Sequence, residues 1–292
     1  MANTALSPDL LVKIERLKLS ARRAAEGIYT GLHRSPRHGA SIEFSEHKEY
    51  VPGDDIRRVD WRVFAKSDRY YIKRYEQETN LKGVMLLDCS HSMAYGSHAV
   101  TKLDFASQMI MAFSHILLNQ SDSAGLLICS EEERKILPAS SQKTHLNVIA
   151  EALAAAKGRG ETRINEWLES TMESTGKSSI LMVFSDFFYD EEKTAGALKT
   201  LSAHHQELLV FHVLDPYELY FPFSLRTRFL DMETPRDLTL EPLAIKAGYL
   251  NQMQSFTHNM KTLCHENGIG YHLCDTSVPL ERHLYDFFAG RD

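Results

Sequence analysis

From Lys82 onward the chain alternates short apolar runs with longer stretches of helical periodicity, and few folds accept such a pattern. Parallel strands need crossover connections, which are usually helices, and both faces of a parallel sheet must then be covered. The spacing predicts strands near 83–88, 124–129, 134–137, 179–185, 207–213 and 269–274. Helices are predicted between them, at 103–119, 145–156, 165–174, 191–203, 241–266 and 279–289. In the first of these, Phe105, Met109, Ala112, Phe113, Ile116 and Leu117 recur every three or four residues, a stripe aimed at a core. The predicted class is α/β, a doubly wound and mostly parallel sheet.

Two stretches depart from the alternation. Between about 215 and 240, Pro216, Pro222 and Pro235 interrupt Tyr217–Phe223 and Arg226–Leu240, which predicts a β-ribbon insertion. Residues 1–80 predict a separate unit: a helix from Pro8 to about Ile28, then strand-like segments around 41–50 and 69–77 with the turn Pro52-Gly53-Asp54-Asp55 between them. Residues 81–292 form the main domain, with the insertion near 215–240 inside it.

The 292 residues suffice for a main domain with such an appendage. Net charge is −6, with 15 Lys and Arg against 12 Asp and Glu in residues 1–80 and 18 against 27 afterwards. An acidic main domain repels phosphate backbones. The basic cluster Arg16, Lys18, Arg22 and Arg23 has no interleaved aromatics and reads as a solvated helix face, so no nucleic-acid partner is expected. Cys89, Cys129, Cys264 and Cys274 form no C-x-x-C pair and follow no secretory leader, as expected of free thiols in a reducing cytoplasm. The longest apolar run, Met109–Leu118, is broken by Ser114 and His115 and falls short of the roughly 20 residues of a membrane span.

The strand Val84-Met85-Leu86-Leu87 runs into Asp88-Cys89-Ser90-His91-Ser92, and Ile180–Phe184 ends in Ser185-Asp186. Ligands of open α/β sheets bind outside the carboxyl ends of the strands. Two carboxylates and two hydroxyls at that edge match the oxygen ligands that Mg²⁺ requires. Gly160-Glu161-Thr162, on a glycine-flexed loop between helices, supplies a third hydroxyl within reach of the same edge. The candidate metal set is therefore Asp88, Ser90, Ser92, Thr162 and Asp186, for Mg²⁺ or, with similar donors, Mn²⁺ or Ca²⁺.

In chain order and residue type this set resembles the metal-ion-dependent adhesion site of von Willebrand factor A-like domains. That resemblance implies direct contacts from the serines and sometimes the threonine, aspartates acting through water, and a partner carboxylate in the last position. A second resemblance covers nearly the whole chain. Glu43-Phe44, Tyr50–Arg57, Val59-Asp60-Trp61-Arg62 and Tyr71–Glu78 are similar to the signature of the bacterial family called domain of unknown function 58. Members carry a von Willebrand A-like domain and are thought to act as adaptors of MoxR-type AAA+ ATPases. The resemblance implies a cytoplasmic, non-catalytic interaction module that links such an ATPase to a protein client. A metal-dependent hydrolase and a scaffold with an empty site remain the alternatives; His91 is the one candidate base in the loop.

Other motifs do not complete. Gly176-Lys177-Ser178-Ser179 lacks the first glycine of a P-loop, where Thr171 stands, and precedes a strand instead of following one. Cys264, His265, His272 and Cys274 match no common zinc spacing, and a helix end followed by a strand should scatter them, as buried thiols and surface imidazoles. His265-Glu266 lacks the second histidine of a metalloprotease helix, and no Gly-x-Ser-x-Gly elbow is present. Arg57, Arg58, Asp60, Trp61 and Arg62 read as a half-buried strand edge.

Overall fold

The computed structural model describes residues 81–129, 134–160, 179–204, 207–224 and 241–289, four further strands, and the single residues Arg16, Lys18, Tyr70, Thr171 and Thr175. Contacts divide the chain into two compact units, one of them Arg34–Asn80. Within that unit β1 (Glu43–Glu49) pairs antiparallel with β2 (Tyr71–Glu76), as the two strand-like segments predict. Of the predicted helix from Pro8 only Arg16 and Lys18 are described, both helical; the rest of it and the segment around Trp61 lie outside the described residues.

The main unit is built on a six-stranded sheet of β3 (Lys82–Asp88), β4 (Ser123–Cys129), β5 (Arg134–Ser140), β6 (Ile180–Ser185), β7 (Glu207–Leu214) and β10 (Gly270–Asp275). Its order is β10-β7-β6-β3-β4-β5, and every neighbouring pair is parallel except β4 and β5. β5 continues past the predicted end through Pro138, where the β4–β5 register shifts between Ala124 and Leu126. An edge strand with a bulge tolerates the missing proline donor.

Alternate residues of the central strands enter different cores. Met85 and Leu87 join α1 (Lys102–Asn119), α2 (His145–Ala155) and α6 (Leu280–Ala289) on one face. Val84 and Leu86 join α3 (Glu191–His204) and α5 (Pro242–Glu266) on the other. All six stripe residues of α1 are buried, and so are Ile110 and Met111, because the helix lies between sheet and helices. Gly83 lets it approach: a β-carbon there would sit 2.5 Å from Leu117 Cδ1.

The 215–240 region corrects the sequence reading in part. Residues Thr227–Leu230 (β8) and Asp237–Leu240 (β9) form the expected ribbon, but Pro216–Tyr220 is a short helix, α4. Proline is favoured at the first helical position, where its missing N–H is needed by nothing. Asp215 and Glu218 close a capping box around it: Tyr217 N donates to Asp215 Oδ1 at 2.8 Å, and Asp215 N donates to Glu218 Oε2 at 2.8 Å. No helix among the described residues is long and apolar enough to cross a membrane.

Candidate functional site

The chain's first two parallel neighbours of β3 lie on opposite sides of it, β4 on one and β6 on the other, so the strand order reverses between β3 and β6. A crevice at such a reversal is the usual ligand position in open α/β sheets. Asp88 ends β3, Asp186 directly follows β6, and both are fully buried. Beyond Asp88 the chain turns through one 3₁₀ turn, Ser92–Ala94, which returns the Ser92 hydroxyl to 3.0 Å from that of Ser90.

A neighbouring segment fixes this loop. Arg159 N donates to Cys89 O and His91 N donates to Gly160 O, both at 3.0 Å. Gly158 lies so close that a β-carbon would stand 2.8 Å from Ser90 O and from Ala94 Cβ. The stretch leading to Thr162 is thus fastened along the Asp-x-Ser-x-Ser loop; Thr162 itself lies outside the described residues.

The carboxylates are heavily engaged. Asp88 Oδ1 accepts from Ser90 N at 2.9 Å, and Oδ2 accepts from the Ser185 hydroxyl at 2.6 Å and from the Tyr189 hydroxyl. Burial, and after it the charge of Asp186, pushes the Asp88 carboxyl above its ordinary value, with these hydrogen bonds working the other way. Tyr189 is pushed well up by burial and by the same two aspartates. Asp186 Oδ1 accepts from Phe188 N at 3.3 Å, and Oδ2 accepts from Lys102 Nζ at 2.8 Å. Phe187, between them, has φ 53°, a left-handed conformation that a bulky residue rarely adopts.

Lys102 is fully buried and also donates to Glu218 Oε1 at 2.6 Å. Burial alone would lower its pKa, but the two carboxylates raise it above the ordinary lysine value. Burial raises Glu218, against the opposing pull of Lys102. Two buried or largely buried carboxylates thus share one ammonium. Sequence reasoning missed Lys102, Glu218, Ser185 and Tyr189; the Asp215-Pro-Tyr-Glu capping box was the one local signal for any of them.

These residues fit a hard divalent cation. Adjacent ligands of an octahedral ion with bonds of 2.0–2.1 Å are about 2.9 Å apart, close to the separation of the two serine hydroxyls. Among the described residues three donors engage the Asp88 carboxylate. The Tyr189 hydroxyl and Lys102 ammonium already occupy two flanks of the cluster. A groove of about 670 Å³ begins at Phe188 and Tyr189 and continues along Tyr249, Met253 and Phe256.

His212, beneath Asp186, is within hydrogen-bond distance of Asp186 O and of the Tyr271 hydroxyl, each at 2.9 Å. Burial pushes its pKa down to about 4. It is neutral in the folded protein, whereas the unfolded chain takes up a proton near 6.5. The resulting stability, about 3 kcal/mol, is complete above pH 6.5 and is lost as pH falls toward 4. Asp88, with a raised pKa, contributes in the opposite sense as pH falls. Comparing urea unfolding of the wild type and His212→Gln at pH 7.5 and 4.5 isolates the histidine: the wild type should lose about 2.5 kcal/mol more than the variant.

The cysteine and histidine expectation is corrected for one pair. Cys264 and Cys274 are buried in the cores on opposite faces, and His265 is exposed. His272 is half-buried, however, and with Cys274 and His283 brings its ligand atoms within 4.8 Å of theirs. Alternate residues of β10 share a face, so a strand gathers these two side chains. The ring nitrogens engage one another at 3.2 Å, and His283 Nε2 meets Asp275 O at 3.0 Å.

The model of the family described as "Protein of unknown function DUF58" matches residues 46–256. The uncharacterized protein Rv1480 of Mycobacterium tuberculosis is 24% identical over 220 residues, which are 74% of this chain and 68% of that protein. Among solved structures, an aerotolerance-related membrane protein from Bacteroides fragilis has a TM-score of 0.45 at 16% identity, covering 72% of this chain and 99% of its own. The SpRpn10 VWA domain has a TM-score of 0.39 at 15% identity, covering 72% and 95%.

Proposed function

The chain belongs to the DUF58 family, and from that premise we propose that it is a non-catalytic interaction module whose Asp88, Ser90, Ser92, Thr162 and Asp186 hold Mg²⁺. The ion presents its remaining position to a partner carboxylate. The module acts as a cytoplasmic adaptor between a MoxR-type AAA+ ATPase and a protein client. Supporting this reading above all is the pair of serine hydroxyls, hydrogen-bonded to each other at 3.0 Å on the loop that follows the buried Asp88, a separation that two adjacent ligands of one ion could also adopt. Mn²⁺ and Ca²⁺ accept the same donors.

Each residue has a separate task. Ser90 and Ser92 supply neutral oxygen to the ion. Asp88 is held by Ser90 N, Ser185 and Tyr189, which fixes its charge behind the serines. Mg²⁺, when bound, would supply a Lewis acid able to accept a partner carboxylate. The mostly apolar groove beginning at Phe188 and Tyr189 offers room for a neighbouring side chain of the same partner. His212, neutral and engaged at both ring nitrogens, is not arranged as a general base.

Binding of a MoxR-type AAA+ ATPase, measured by calorimetry in Mg²⁺ and in EDTA, tests the proposal. EDTA, or the double substitution Asp88→Ala with Ser90→Ala, should weaken binding at least tenfold. Unchanged affinity with the correctly folded double variant refutes metal-mediated contact.

A further inference from the structure

We infer that Lys102 is a built-in cation of this cluster, which supplies part of the positive charge it needs and thereby weakens its hold on a divalent ion. The inference rests on the cluster being a place for such an ion, and the experiment below separates the two.

Lys102 is an unusual residue for its position. It is the first residue of α1, and the start of a helix already carries partial positive charge, so a cation there opposes the helix dipole. Lysine is also almost never fully buried unless paired, yet Lys102 is the largest fully buried side chain described. Neither local helix formation nor packing favours an ammonium at this point. Its surroundings do: Asp186 Oδ2 at 2.8 Å, Glu218 Oε1 at 2.6 Å, and the face of the Phe188 ring 4.9 Å from Nζ.

The charges around it are unbalanced. Asp186 and Glu218 bring two carboxylates to the single ammonium of Lys102. A divalent ion would meet the remaining negative charge, but it would do so beside a fixed ammonium that holds one of the two aspartates. Like charges in a poorly solvated site repel strongly. Lys102 therefore acts as a positioning residue: it holds Asp186 and Glu218 and limits how tightly the ion binds.

The test is Mg²⁺ titration of the full chain by calorimetry, together with the rise in melting temperature that Mg²⁺ produces, for the wild type, Lys102→Met and Lys102→Gln. The glutamine variant removes the charge but keeps hydrogen-bond donors, and so remains informative if the methionine variant folds poorly. Expected is at least tenfold tighter Mg²⁺ binding by the uncharged variants, with a larger Mg²⁺-induced rise in melting temperature. A wild type that binds no Mg²⁺ beside variants that do also supports the inference and overturns the metal reading of the wild type. Equal or weaker binding by the variants overturns the inference and leaves the metal reading standing. Absence of binding by all three overturns both. A purely structural lysine would lower stability on removal without raising affinity for the ion.

Discussion

Phe211→Ala is expected to lower the unfolding free energy by roughly 3–5 kcal/mol. Phe211 lies on β7 and is fully buried. Its ring stacks on Phe184 of β6, with centroids 4.6 Å apart and planes within 6°, and meets Phe113 and Phe287 at 5.2 Å each. Helices α1 and α6 thus meet the sheet through one aromatic cluster. Alanine would leave a void walled by three other phenylalanines, whose size prevents easy collapse. The lost transfer free energy and the cavity act in the same direction, and the lost aromatic contacts add about 0.5–1.5 kcal/mol per pair. Chemical denaturation followed by fluorescence or circular dichroism measures the change; a loss below about 1 kcal/mol would mean that the void closes.

Asp186→Ala should cost about 3 kcal/mol even before any ion is considered. The change removes one of the two carboxylates that hold the buried Lys102 ammonium and leaves it with Glu218 alone. Breaking a buried pair from one side is costly because the surviving charge stays out of water. Glu218 limits the damage, which places the expectation at the lower end of the usual range. Asp186→Asn should cost less, since an amide oxygen can still accept from Lys102 and from Phe188 N. The comparison is made by denaturation in EDTA, so that ion binding does not enter. If alanine and asparagine prove equally mild, Glu218 suffices for Lys102.

The strands were legible because β3, β6 and β7 are runs of apolar residues long enough to cross a core and too short for helices. The two aspartates and two serines were legible for the same reason: each follows a recognisable strand, and parallel strands bring their carboxyl ends to one edge. Lys102, Asp186 and Glu218 come from three distant points, and nothing local marks a lysine as buried. Periodicity showed one face of α1 but not that its opposite face would also be covered. Proline was read as an interruption at Pro216, whereas in the first turn of a helix it assists. Alternation along β10 gathers His272 and Cys274, an effect that treating the four cysteines and histidines as scattered overlooked.

The two borders of the sheet differ in what they offer a visiting backbone. At β5 a stranger would meet Pro138, which has no donor to give, a broken register beside it, and the charge of Lys135 near the strand's start. Such a margin resists templating of another molecule's chain and keeps the ribbon from growing outward on that side. Copies of this protein would therefore not associate by adding a strand at this margin.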